Sequence, residues 1–245
     1  MSVTYETGHA KNLAHFQTLI TFCEGYGDAY NPVKDTLSIA TMQALLTEAT
    51  DRFNEVKNKK TAFDNATNAR RTVFADLRPL ATRVVNAFAV SGADPLAVED
   101  ARGINRKLQG SSLKKETPDN PETNNSTSTS TSTSTSQQSY DKQIDHFLNL
   151  IEVLEQAPAY KPNEEELQPK NLRTLLQNLN DANTARIQAY TPYSNALIAR
   201  DKVLYDDAGN ICSVAKESKS YIKSVFGATS PQYKQVSGLE FTRPR

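Results

Sequence analysis

The chain has 245 residues, 28 basic and 28 acidic side chains, 38% hydrophobic residues, no Trp and nine Gly. So few glycines argue against an all-β chain, which needs many tight turns. Balanced charge argues against a nucleic-acid binder, whose phosphate contacts need a basic excess.

No run reaches the roughly 18 apolar residues of a membrane span. The opening "MSVTYETGHAKNLAHF" lacks the basic-then-apolar pattern of a secretory signal. Two cysteines, Cys23 and Cys212, are too few for a disulfide framework. The expectation is a cytoplasmic protein without nucleic-acid or membrane partners.

In chain order the elements read as helices only. Leu13, Phe16, Leu19, Ile20 and Cys23 recur at helical spacing, which predicts a helix over 9–25 stopped by Gly25 and Gly27. "AYNP" forms a turn, and Asp35 or Thr36 is the expected N-cap of a long second helix. Leu45, Ala49, Arg52, Val56, Lys59, Phe63, Ala66, Arg70, Val73 and Leu77 then alternate in steps of four and three, a heptad seam with polar interruptions. Pro79 should kink or restart that helix. A third segment, 80–91, ends at Gly92.

Residues 110–139 hold "SSLKKETPDNPET" and a Ser/Thr alternation, and read as a flexible linker. Beyond it, helices are expected over 140–156, over 164–207 and over 210–226. Pro169 is tolerable if the second of these starts late, and Pro192 should bend it. The "EEE" run at 164–166 suits a helix N-terminus, and the tail "SPQYKQVSGLEFTRPR" looks extended.

These elements repeat. Residues 29–84 align without gaps on 159–214 with 15 identities in 56 positions, among them Tyr30/Tyr160, Pro32/Pro162, Arg70/Arg200 and Asp76/Asp206. Chance would give roughly 3 or 4. The flank "HFQTLITFCE" (15–24) also pairs with "HFLNLIEVLE" (146–155). The expected architecture is an all-α, internally duplicated bundle, with one short and one long, kinked helix per half. Coiled-coil-like packing and pseudo-twofold symmetry are expected with it. The first helical repeat is 1–109, the linker 110–139 and the second repeat 140–245, with both repeats packed as one domain.

The pattern "NA..AR..V..D" stands at 65–76 and 195–206. Its small residues share a helix face and allow two helices to approach closely. Arg70 and Arg200 lie beside that face, near the expected axis. Asp76, Asp206 and Asp201 are candidates to pair with them. A second reading makes the two arginines a site for a small anion, because guanidinium groups suit carboxylates and phosphates. Tyr30 and Tyr160 either pack over their inter-helix turns or form an exposed interaction surface.

Other chemistry is sparse. Three histidines, His9, His15 and His146, do not make the paired Glu-x-x-His of di-iron bundles; only Glu6 and His9 have that spacing. Cys23 reads as a buried thiol, and Cys212 aligns with Thr82. No G-x-S-x-G, P-loop, G-x-G-x-x-G or Cys-x-x-Cys occurs. The expectation is therefore no catalytic residue, no metal and no cofactor.

The runs "YIKSVFGATSPQYKQVSGLEFTR" (221–243), "AYTPYSNALIARDKVLYD" (189–206) and "GINRKLQG" (103–110) resemble a group of uncharacterised helical proteins from Bacteroidota. That resemblance covers nearly the whole chain and implies no activity, cofactor or site. The functional expectation is a non-catalytic helical scaffold or protein-interaction module, acting through self-association or an unknown protein partner. The alternative is a bundle that binds a small anion at Arg70 and Arg200.

Overall fold

The computed structural model describes residues 4–110 and 138–244, and among these there is no β-strand. The helices are α1 (Thr4–Gly25), α2 (Ile39–Ala75), α3 (Leu77–Ala89), α4 (Pro95–Gln109), α5 (Tyr140–Glu155), α6 (Pro169–Asp201), α7 (Ile211–Phe226) and α8 (Pro231–Ser237). Residues 111–137, most of the expected linker, lie outside the described residues.

The chain divides into two compact units, and these do not coincide with the expected halves 1–109 and 140–245. The first comprises Met1–Asp64 and Ala189–Arg245; the second comprises Asn65–Gln188. The cause lies in where the apolar side chains go. Leu37, Met42, Ala49 and Phe53 share a core with Val203, Leu204, Ile211, Val214 and Ile222. Phe74, Leu77, Val84 and Phe88 share another with Phe147, Ile151, Leu172 and Leu179. Each long helix thus gives its N-terminal stretch to one core and its C-terminal stretch to the other.

In the first unit, α1 buries Leu13, Phe16, Leu19, Ile20 and Cys23, the stripe read from its spacing. Helix α2, 37 residues and ~55 Å long, begins later than expected. Asp35–Leu37 form a 3-10 turn, and Ser38 Oγ accepts the Thr41 N–H at 3.2 Å. Ser38, not Asp35 or Thr36, is the cap. All ten seam positions from Leu45 to Leu77 are buried or half-buried.

Helix α6 runs through Pro192 without interruption and starts at Pro169, where a missing N–H costs nothing. It ends at Asp201, earlier than expected. Lys202–Asp206 form a π turn, and Gly209 (φ +80°) then reverses the chain in a left-handed conformation. The tail also differs from expectation. Ser230 accepts the Tyr233 N–H at 3.1 Å and Pro231 opens a short helix, so only the residues after it are extended.

In the second unit, α2 breaks at Asp76 just before Pro79, as expected, and α3 follows. The "EEE" run forms a 3-10 turn at Glu165–Leu167 ahead of α6, where Glu166 pairs with Arg83. Helix α4 has no counterpart in the periodicity reading. Asp94 caps it through the Leu96 N–H at 2.7 Å, with Pro95 as its first residue. Its face of Val98, Ala101 and Leu108 packs into the second core.

Tyr30 and Tyr160 occupy matching places. Each hydroxyl donates to a buried backbone carbonyl, Leu37 and Leu167 respectively, at 2.9 Å. Both rings are buried, which removes the reading of an exposed interaction surface. They clamp the turn that precedes each long helix. Tyr30→Phe and Tyr160→Phe are each expected to lower stability by about 1–2 kcal/mol, because the carbonyl loses its partner without regaining water. Urea denaturation checks this, and equal costs at the two sites are the expected pattern.

Candidate functional site

A buried polar cluster lies in the first unit, against the apolar face of α1. His9, Asn12 and Arg200 are buried there, although each could have been solvated. Buried polar groups need partners, and this cluster supplies them across the sequence. Asn12 Nδ2 donates to the Tyr205 hydroxyl at 3.0 Å. That hydroxyl lies 2.7 Å from His9 Nδ1. Tyr205 accepts from Asn12 and shares a second hydrogen bond with the His9 ring, so its hydroxyl links the two α1 side chains. Burial raises the Tyr205 phenol to about 12.

Arg200 is 5% exposed. Its Nε and one terminal nitrogen donate to Asp201 Oδ1 at 2.9 and 2.8 Å. Asp201 also faces Arg243 at 3.7 Å. Arg243 forks onto Asp206 at 2.6 and 3.3 Å and sits over the Tyr205 ring.

The extended segment 239–244 is held against this cluster. Asn12 takes both main-chain groups of Thr242: Nδ2 donates to the Thr242 carbonyl at 2.7 Å, and Oδ1 accepts its N–H at 3.3 Å. His15 Nδ1–H donates to the Glu240 carbonyl at 2.8 Å. Phe241 meets the rings of His15 and Phe16 edge-on. Lys219 of α7 donates to the carbonyls of Ser237 and Leu239, both at 2.9 Å, and burial lowers its affinity for a proton. An open cleft of about 620 Å³, lined by Lys216, Lys219 and Lys223, runs beside the segment. Gly8 explains the close approach: a Cβ there would meet Pro244 Cγ at 2.6 Å.

A second cluster lies in the second unit. Arg70 sits over the Tyr140 ring, 3.9 Å from its centroid, and donates to Asn183 Oδ1 at 2.9 Å. Asn183 in turn donates to Asp141 at 2.7 Å. Burial, with Arg186 nearby, lowers the Arg70 pKa. Arg70 Nε and Thr67 Oγ1 are buried without a hydrogen-bond partner among the described residues.

The structure thus gives the two sequence-nominated arginines separate surroundings. Arg200 belongs to the first unit and Arg70 to the second. Asp201 is the carboxylate that engages Arg200, as the sequence proposed, whereas Asp206 engages Arg243. Asn12, Tyr205 and Arg243 were not nominated. His9 and Asn12 did carry a signal, since both continue the i, i+3, i+4 stripe of α1 as polar residues on an apolar face.

Among the described residues, no group of three or more His, Cys, Asp or Glu is placed to hold a metal. No helix among them is long and apolar enough to cross a membrane. Cys23 and Cys212 are free thiols. No protein family, curated protein or solved structure matches the chain.

The ion pairs differ in weight. Asp201→Ala is expected to cost about 3 kcal/mol, the lower end for removing one partner of a buried pair, because Asp201 itself is 29% exposed. Asp206→Ala removes an exposed pair and is expected to cost under about 1 kcal/mol. Urea midpoints of the two variants, measured together, test that ranking.

Proposed function

We propose that this chain is a non-catalytic helical scaffold and protein-interaction module, acting by self-association or by holding a protein partner. The observation that carries this reading is the handling of residues 239–244. The α1 and α7 side chains grip an extended segment by its main chain, through Asn12, His15 and Lys219. His15 and Phe16 of α1 also contact Phe241, and Asp206 of the π turn contacts Arg243. That combination is how peptide-recognition surfaces work: main-chain bonds give affinity and side-chain contacts give specificity.

We further propose that the module arose by duplication. The 15 aligned identities support this, and so do the matched tyrosine-to-carbonyl bonds and the matched 3-10 turns at 35–37 and 165–167. The resemblance to helical proteins of Bacteroidota adds no activity to this reading.

Affinity capture on the full-length chain from a native lysate, followed by titration of the retained protein, tests the reading. A saturable complex, or a self-associated chain by light scattering, is expected. A chain that stays monomeric at every concentration and retains nothing would contradict it.

A second reading, binding of a small anion, is favoured by one observation at Arg70. Its direct partners are an amide and a ring, both neutral, and its Nε lacks a hydrogen-bond partner. The reading narrows from a pair of arginines to the surroundings of Arg70. Phosphate or acetate should raise the melting temperature of the wild type and leave Arg70→Ala unmoved. Equal behaviour of the two proteins would remove this reading.

A further inference from the structure

We infer that the groove between α1 and α7 binds an extended peptide of the pattern Phe-x-Arg from a partner protein, and that residues 239–244 are a resident segment which such a partner displaces. The inference rests on the interaction reading above and names the partner's chemistry.

Three features define the pattern. Phe241 enters between His15 and Phe16, with ring centroids 6.0 and 6.5 Å away. Asn12 holds the next residue only through its main chain, so side-chain identity is free there. Arg243, two residues after the aromatic, meets two carboxylates and an aromatic face. Asp201 and Asp206 thus supply charge complementarity for a guanidinium, and their spacing from the α1 rings fixes the Phe-x-Arg interval. Lysine would not reproduce the fork onto Asp206.

Displacement follows from how lightly the resident segment is held. None of residues 239–244 is fully buried, and the Arg243 side chain is 54% exposed. Exposed ion pairs contribute little, and segments with few buried contacts open locally without global unfolding. The groove residues do not share this weakness, because Asn12 and Phe16 are buried on a helix packed into the core. An open segment would therefore leave a formed groove behind. The resident segment lowers the apparent affinity of a competitor by the fraction of time the groove is closed.

The test uses the full-length chain and a fluorescent synthetic peptide of residues 239–244, Leu-Glu-Phe-Thr-Arg-Pro. In the double variant Phe241→Ala/Arg243→Ala the groove is unlatched, and the peptide should bind at least tenfold tighter than to the wild type. Adding Asp206→Ala to that variant should weaken binding by up to about fivefold. Asp206 is exposed, so circular dichroism should show an unchanged fold. A peptide with Ala in place of Phe should not bind, and one with Ala in place of Arg should bind several-fold more weakly.

Equal binding to the wild-type and unlatched chains, or none to either, would overturn the inference. So would tight binding of a scrambled peptide. A dimer that grows with wild-type concentration and vanishes in the double variant would also overturn it, by making a second copy's tail the occupant. Capture of a partner through another face would leave the interaction reading standing while this inference fails.

Discussion

Phe88→Ala is expected to destabilise the second unit by about 3–5 kcal/mol, the range for emptying a well-packed aromatic site. Phe88 is 0% exposed and completes the α3 stripe of Leu77, Ala81, Val84 and Val85. Its ring meets Tyr160 edge-on at 5.6 Å. Tyr160 in turn holds the Leu167 carbonyl ahead of α6. The substitution therefore opens a cavity and loosens the ring that clamps the start of a long helix. Interiors packed at crystal density do not close such a gap fully. Val90, two residues on, is 85% exposed, and Val90→Ala should stay within about 0.5 kcal/mol. Urea denaturation followed by far-UV circular dichroism separates the two variants. Equal midpoints would mean that Phe88 does not anchor the core.

Alkaline pH is expected to unfold the chain, with loss of stability starting near pH 9. The sign follows from which state holds the proton. Burial raises the Cys23 thiol from 9.0 to about 11, with the Glu24 charge as a minor contribution. It raises the Tyr160 phenol from 10.0 to about 12, and Tyr30 is pushed up further by the same cause. Each group stays neutral in the folded chain at a pH where the unfolded chain has already ionised. The unfolded state then binds fewer protons, so stability falls as pH rises.

Below about pH 8.5 these groups contribute no slope. Between the unfolded and folded values each costs about 1.4 kcal/mol per pH unit. The thiol acts from pH 9 and the phenols from pH 10, for a combined loss on the order of 5 kcal/mol by pH 11. Urea midpoints against pH, with tyrosinate absorbance alongside, test this. Cys23→Ala should reduce the slope between about pH 9 and pH 10, leaving the part due to Cys212, whose thiol burial also raises. A flat profile through pH 11 would show that these groups ionise freely in the folded chain.

Much of the fold was written in local patterns. The α1 stripe, the long Gly- and Pro-free stretch of α2 and the break before Pro79 follow from periodicity and from steric limits on proline. Other features did not show. Helices α4 and α8 begin with Asp94-Pro95 and Ser230-Pro231, cap-and-proline starts whose short apolar faces are hard to see by spacing alone. The division into units was hidden for a different reason. Spacing along the chain does not say which distant apolar faces meet, and Met42 meets Ser218 across 176 residues.

The candidate site was legible only in part. Arg200 was found because it recurs, and Asp201 because it is adjacent. Asn12, Tyr205 and Arg243 come together from three distant segments, and no spacing rule links residues that far apart. Tyr30 and Tyr160 recur because they do the same structural work twice; recurrence alone does not separate that from a shared binding role.

Asn12 and its neighbours hold residues 239–244 by their main chain. Hydrogen exchange at the Thr242 amide in the full-length chain tests this most directly. Protection in the wild type, lost in Asn12→Ala while the amides of α7 stay protected, is the expected result. A Thr242 amide that exchanges freely in the wild type, or equally in both proteins, would contradict it.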